Sequence, residues 1–499
     1  MTFQNGDVME KYEYNKSRLP EIALTKHKEL TALYDYAFKT AFKNIDYIDK
    51  PGWKPQLTCY PGIGIVWQWD SCFMTFITNY SNASLTTFNN LDNMYRLQGD
   101  DGYISMAYNI AEEKEAYDTG RINPPLYAWA EWQHYIITGD SSRFTCVAPK
   151  IEGLYNYIEK KHRRSCGLYW FDDPGSSGMD NSPRSEYPLR HLDGSGVCFV
   201  DLACQQALTA EMLGNIYTAL GSNQKADFYF AEHKRICGLI NKYHWDEKTG
   251  FYYDFFARSS PDKRVKLINT KTVAAAWTLL CGAAQGERFE KVLKHFLNED
   301  EFNTLIPFAS LSRDDLNYDP TGGYWLGSSW HPTDYVLLLA MFQNGYKKEA
   351  RNAALKILNG MYEVFKNPEF GGIWEAYSPE EYKPATTENG ELCKPEFVGW
   401  GGLLPIPALI EIVLGINLNV PGNTVTLDIS ADEYGGIKNL DFGGGKISVI
   451  CREYDPENGK CVIETEAEKE FTLKVKTDLS QNETVLIVDE ARRFYDLIL

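Results

Sequence analysis

Apolar residues recur three and four positions apart through most of this chain. Over Lys28–Asn44 they fall at Leu30, Leu33, Tyr34, Ala37, Phe38, Ala41 and Phe42, the single face of an amphipathic helix. Leu208, Met212, Ile216 and Leu220 repeat the pattern over Cys204–Leu220, and Gly221-Ser-Asn follows as a stop signal. Asn223–Tyr243 continues it with Ala226, Phe230, Ile236 and Ile240. The same spacing predicts helices over Ser71–Asn79, Pro125–Thr138, Arg143–Lys160, Thr270–Leu280, Phe289–Leu297, Pro332–Gln343, Lys347–Phe365 and Gly402–Leu414. After Ile416 the period changes to alternation. Thr424–Ile429, Ile447–Cys451, Cys461–Thr465, Phe471–Lys476 and Thr484–Val488 read as short strands, separated by turn formers such as Gly443-Gly-Gly and Asp455-Pro-Glu-Asn-Gly459. The pattern divides the chain into a helical region, 1–415, and a small β-sandwich-like region, 416–499.

A short phrase returns between helix pairs: a glycine, then aromatic residues with acids nearby. It stands at Gly102-Tyr103, Gly167-Leu-Tyr-Trp170, Gly250-Phe-Tyr-Tyr-Asp254, Gly323-Tyr-Trp325 and Gly372-Ile-Trp374-Glu375. A helix-pair repeat that carries aromatic and acidic residues in equivalent loops suggests a closed ring. Six such pairs make an (α/α)6 barrel, with the loops at one end around a central pocket. The expected fold is therefore mainly α, an (α/α)6 barrel with a C-terminal all-β domain.

Composition narrows the function. The formal charge is −18 and no Lys/Arg block interrupts it, so a nucleic-acid or membrane-surface partner is disfavoured. The longest apolar run, Val336–Phe342, falls far short of the ~20 residues of a membrane span. The 11 cysteines are scattered without a C-x-x-C pair, and the first residues carry no signal-peptide pattern, so reduced thiols and a cytoplasmic location are expected. The abnormal feature is aromatic content: 32 Tyr, 25 Phe and 12 Trp. Most fill the core, but flat rings also stack on sugar C–H faces.

Two loop carboxylates stand out. Asp180 lies in Gly178-Met-Asp-Asn-Ser-Pro-Arg184, where Pro183 restrains the backbone and Arg184 can orient a carboxylate or a substrate hydroxyl; the alternative is an Asx-turn. Glu375 lies between Trp374 and Tyr377 after a double glycine, where partial exclusion of water would tune its pKa; the alternative is a strand-end glutamate. Asp70, in Trp67-Gln-Trp69-Asp70, can cap a helix, accept sugar hydroxyls, or do both. Asn123-Pro-Pro125 with Trp129, Trp325 with Trp330-His331, and Gly399-Trp400 put tryptophan beside small residues or helix starts. No H-x-x-x-H, H-E-x-x-H or G-x-S-x-G pattern is present, and His191 and His331 read as hydrogen-bonded loop residues.

In combination and order these phrases resemble the α-glycosidases of glycoside hydrolase family 63, and more distantly the trehalases. The matching pieces are Trp67-Gln-Trp69-Asp70, Asn123-Pro-Pro125 with Trp129, Asp180-Asn-Ser-Pro-Arg184, Tyr324-Trp325 with Trp330, Trp374-Glu375-Ala-Tyr377 and Gly399-Trp400. The resemblance implies an (α/α)6 barrel and inversion at the anomeric carbon, with Asp180 as general acid and Glu375 as general base. Trp69, Asp70, Trp129, Arg184, Trp325, Trp330, Trp374 and Trp400 would line the sugar subsites, with no cofactor or metal. Leu326 and Asp334 stand where the family often has Arg and Asn, and Asn123 where Gln is usual, departures that bear on the sugar rather than on the reaction. Inversion needs a protonated carboxyl at the leaving oxygen and an ionised one activating water, roughly 6.5–9.5 Å apart. Residues so distant in sequence can meet that way only in a closed fold. The remaining alternatives are a phosphorylase, an epimerase working through His191 or His331, and a non-catalytic sugar-binding protein.

Overall fold

In the computed structural model, which describes residues 11–117, 120–184, 196–256, 266–477 and 480–499, the first predicted helix closes as α1, Thr31–Lys43. It buries Leu33, Tyr34, Ala37, Phe38 and Ala41. There follow α2 (Gln68–Thr78), α3 (Phe88–Leu97), α4 (Tyr127–Thr138), α5 (Phe144–Lys161), α6 (Val200–Ala219) and α7 (Asn223–Tyr243). The second half carries α8 (Ala276–Leu280), α9 (Glu287–Phe296), α10 (His331–Gln343), α11 (Lys347–Lys366), the short α12 (Val398–Gly401) and a π-helix, Leu404–Val413.

Two kinds of helix alternate. Every residue of α2 and of the π-helix is buried, as is nearly all of α6 and α10. By contrast α7, α9 and α11 bury one face only. A helix apolar all round belongs inside, and an amphipathic one outside. The contacts follow this division: α2 packs on α4, α4 on α6, α6 on α8, α8 on α10, α10 on the π-helix, and the π-helix returns to α2.

The π-helix explains itself locally. Pro405 and Pro407 remove two amide donors, and the bonds Ala408 N–H to Leu403 O (3.0 Å) and Leu414 N–H to Leu409 O (2.9 Å) skip five residues. The widened turn carries Glu411 inward, where Tyr80 and Tyr335 donate to its two oxygens at 2.7 Å each. Burial pushes this carboxyl up to about 7, against the pull of the two phenols.

The alternating segments form two sheets. Ile416–Asn419, Thr424–Ile429, Phe471–Thr477 and Ser480–Val488 make a four-stranded sheet, with the middle pair parallel. Gly435–Phe442, Gly445–Asp455, Lys460–Ala467 and Arg493–Ile498 belong to a five-stranded one. The fifth strand of the latter comes from the other end of the chain: Glu21–Leu24 pairs antiparallel with Gly435–Lys438, Ile22 opposite Ile437. Glu433 secures the turn that follows, accepting the N–H groups of Thr25 (2.8 Å), Lys26 (3.0 Å) and His27 (2.7 Å). Arg351 on α11 donates to Asp428 (2.7 Å) and to the Ile412 carbonyl (3.1 Å), tying sheet to helices through a fully buried ion pair. Among the described residues no helix is long and apolar enough to cross a membrane.

Candidate active site

A cavity of about 520 Å³ is lined by Asp70, Asp180 and Glu375 together with Trp69, Trp400, Tyr60, Tyr324, Arg121 and Lys394. Each carboxylate arrives on a different element. Asp70 sits in the first turn of α2, after Trp67 rather than as its cap, and accepts the Cys59 thiol at 3.2 Å. Asn123 clamps that helix start to the loop before Asp180: its Oδ1 accepts the Trp69 N–H (3.1 Å) and its Nδ2 donates to the Ser176 carbonyl (3.1 Å). Gly178 permits the approach. Its φ is +78°, and a Cβ there would stand 2.3 Å from the Trp69 ring.

Glu375 is held by its own strand-like pairing. Its N–H donates to the Lys394 carbonyl (2.9 Å), Lys394 N–H returns to Oε2 (3.0 Å), and the Tyr324 hydroxyl donates to Oε1 (3.0 Å). No hydrogen bond reaches the Asp180 carboxyl among the described residues. Arg121, whose guanidinium lines the same cavity, is committed to Asp173 and Ser176.

These surroundings set the ionisation. Burial pushes Asp180 up to about 7, the negative charges of Glu375, Asp70 and Asp173 raise it further, and Arg121 lowers it. The Asp180 side chain is exposed to the cavity, so the surrounding wall, rather than enclosure of its own surface, is what desolvates it. Burial likewise raises Asp70 to about 7, with Cys59 pulling it down and Glu375 pushing it up. Glu375 is raised by burial, opposed by the Lys394 N–H, the Tyr324 hydroxyl and the Lys394 charge.

Of the other residues singled out in the sequence, Trp69 and Trp400 line the cavity; Trp129, Arg184, Trp325, Trp330 and Trp374 do not. Trp325 and Trp330 stack at 4.3 Å behind Trp400, which meets Trp330 edge-on at 5.0 Å, so they back the wall instead of forming it. Trp129 lies in the core against Phe76 and Trp277. Trp374 points away because neighbours in an extended segment alternate, and its indole donates to Gly371 O at 2.7 Å. Arg184 does orient carboxylates, but those of Asp201 (2.5 and 2.8 Å) and Asp254 (2.8 and 2.9 Å), in a fully buried double fork joining the Asp180 loop to α6 and to the Gly250–Asp254 turn. Neither ring nitrogen of His331 has a hydrogen-bond partner among the described residues. It opens α10, stacks on Tyr377, and burial lowers it to about 3. His191 lies outside the described residues.

Sequence reasoning passed over Arg121, Tyr60, Lys394 and the 387–391 turn with Glu388 and Glu391, all of which line the cavity. Tyr324 was legible only as part of its tryptophan phrase. Among the described residues no cluster of three His, Cys, Asp or Glu side chains is arranged to hold a metal ion.

Among known proteins, an uncharacterized protein of Borreliella burgdorferi is 26% identical over 441 residues, 85% of this chain and 87% of that protein. A probable mannosyl-oligosaccharide glucosidase of Schizosaccharomyces pombe is 25% identical over 243 residues, but the match spans only 28% of that protein and 46% of this chain. The GH63 mannosylglycerate hydrolase from Thermus thermophilus, solved in complex with glucose, superposes with a TM-score of 0.61 over 75% of this chain and 99% of its own, at 18% identity. The sequence model of the mannosylglycerate hydrolase MGH1-like glycoside hydrolase domain matches residues 64–389, a stretch that holds Asp70, Asp180, Tyr324 and Glu375. The chain belongs to that family, the MGH1-like glycoside hydrolases of family 63.

Proposed function

We propose that this glycoside hydrolase is an inverting α-glycosidase in which Asp180 protonates the leaving oxygen and Glu375 activates the attacking water. The observation that carries the reading is the contrast between two carboxyls in one cavity. Glu375 receives two donors that favour its ionised form, whereas Asp180 receives none among the described residues and is pushed up to about 7. Environments that separate two carboxyls in this way assign the base and the acid. The circuit of α2, α4, α6, α8, α10 and the π-helix supports an (α/α)6 barrel with these loops at one rim. Eleven free thiols support a reducing, cytoplasmic setting.

The substrate class follows from the lining. Asp70, Asp180, Glu375, Glu388 and Glu391 face Arg121, already paired, and Lys394, so the cavity suits a neutral α-linked glucoside or similar small sugar better than an anionic one. Trp69 and Trp400 offer faces for the ring.

The test is sugar release from α-linked gluco- and manno-disaccharides and glycosides, without added phosphate, with the first-formed anomer read by proton NMR. Release of the β-anomer supports the proposal. Release of the α-anomer, or a need for phosphate, sinks it. Binding without release points to a non-catalytic sugar-binding protein. An epimerase working through His331 is disfavoured by the enclosure of that ring.

A pH profile gives a second check. Activity should rise as Glu375 ionises and fall near pH 7 as the Asp180–Asp70 pair loses its proton, a limb that belongs to the pair. Asp70→Asn removes a negative neighbour, so the alkaline limb of kcat should move to lower pH. A limb that stays in place would separate Asp70 from the titration.

A further inference from the structure

Asp180 is followed by a residue that reaches the opposite wall. The Asn181 amide makes two hydrogen bonds, both to backbone on either side of Tyr324: Nδ2 donates to Gly323 O at 2.9 Å, and Oδ1 accepts from Trp325 N–H at 2.9 Å. These two groups flank Tyr324, so the amide pairs with that residue as a neighbouring strand would. Asn181 is only 9% exposed, so both bonds are largely shielded from solvent.

Tyr324 needs such a clamp. Its φ is +65°, a left-handed conformation that a residue with a Cβ avoids, and it follows Gly322 and Gly323 at +113° and +50°. Without outside support the segment would relax toward ordinary φ and swing the ring. The other restraints include the Tyr324 N–H to Thr386 O (2.7 Å), the Gly323 N–H to Thr386 Oγ1 (3.1 Å), the Trp330 indole N–H to Tyr324 O (3.2 Å) and the edge-on contact of the Tyr324 and Trp330 rings (4.9 Å). Among the described residues only the Asn181 amide grips both sides of Tyr324. The phenol so placed donates to Glu375.

We propose that Asn181 is a positioning residue: it holds Tyr324 in its left-handed conformation and so fixes Glu375 relative to Asp180, the residue next to Asn181 in the chain. The proposal rests on the reading of Asp180 and Glu375 as acid and base. A shift of the Asp180 loop then carries the clamp with it, and the two carboxyls keep their separation. The cost of losing that registry falls on turnover more than on binding, because an inverting reaction needs acid, sugar and water in one line.

The test uses the full chain with whichever α-glycoside the wild type cleaves. Asn181→Ala removes both bonds; Asn181→Asp keeps the acceptor and loses the donor; Tyr324→Phe keeps the ring and loses the bond to Glu375. Asn181→Ala should lower kcat about 10–100-fold with KM moved by about threefold or less. Its acid limb should move to higher pH, since Glu375 loses a donor that favours its charge. Asp180, Asp70, Lys394, Tyr60, Cys59 and Cys393 also bear on Glu375, and none of them changes in these variants. Tyr324→Phe should show the same limb, and the double variant should be no worse than the more impaired single.

An unmoved acid limb in a folded Asn181→Ala, or additive losses in the double variant, would overturn the proposal. So would failure of both Asn181 variants to fold, which would make Asn181 a structural residue only. Full activity in Asp180→Asn would remove the acid–base reading itself. A near-wild-type Asn181→Ala beside an inactive Asp180→Asn would remove this inference alone.

Discussion

Asp180→Asn should lower kcat by about 10²–10⁴-fold on substrates with alcohol leaving groups, the range for loss of a positioned general acid. The amide matches the carboxyl in shape but has no proton to give. The loss should shrink for an α-glycosyl fluoride, whose leaving group departs with little protonation, and that contrast separates an acid from a residue that merely binds. Stability should move the other way. The folded pKa of about 7 lies above the ordinary 3.8, so the unfolded chain gives up this proton first, and stability drains away as pH rises from about 4 to 7. The asparagine variant escapes that loss, so its unfolding midpoint at pH 8 should equal or exceed the parent's. Equal turnover on an alcohol-leaving-group substrate, or a clearly lower midpoint, would contradict the assignment.

The second large effect concerns stability. Arg184 is the sole guanidinium between Asp201 and Asp254 among the described residues, and all three side chains are almost fully enclosed. Arg184→Met keeps the bulk but leaves two buried carboxylates facing each other, at a cost of about 3–5 kcal/mol for breaking such a pair from one side. Even with Arg184 present, burial already holds Asp201 above its usual range. In the variant Asp201, already held up by burial, should take up a proton on folding. Its folded pKa then exceeds the unfolded one, so the deficit should be largest above neutral pH and narrow toward pH 4. Urea unfolding at pH 8 and pH 5 reads both magnitude and sign. Adding Asp201→Asn and Asp254→Asn should return part of the loss. A deficit under about 1 kcal/mol at pH 8 would show that the fork contributes no more than an exposed ion pair.

How far the sequence could be read depends on where each residue's information lies. Helices such as α6 and α11 were visible because their apolar spacing is their own. The α3 helix was passed over because Phe88-Asn-Asn-Leu-Asp-Asn has poor intrinsic propensity. Its asparagines serve a neighbour instead: Asn90 pairs both ways with the Leu57 backbone (2.9 and 2.7 Å) and Asn93 with Lys54 (3.2 and 3.0 Å). Strand Glu21–Leu24 escaped for a related reason, since four residues carry no period and their partner lies at the far end of the chain. In the cavity, carboxylates within glycine- and tryptophan-rich phrases could be picked out one by one. Which tryptophans face the cavity could not, because Trp325, Trp330 and Trp374 sit in loops whose alternation only the fold reveals. Arg121 and Lys394 had no distinguishing neighbours, and only their place beside Asp173 and Glu375 makes them part of the cavity.

The pairing of Glu21–Leu24 with Gly435–Lys438 also has a temporal side. A ribosome adding roughly 5–20 residues each second takes on the order of twenty to eighty seconds to travel from one strand to the other. Throughout that interval Ile22 and Leu24 have no sheet to enter, and Glu433, which will collect the amides of Thr25, Lys26 and His27, does not yet exist. The helices between can condense as they emerge, but this sheet edge can close only after Gly435–Lys438 has been made. The nascent chain therefore carries an apolar strand that a chaperone, or the same strand of another ribosome's product, can capture first.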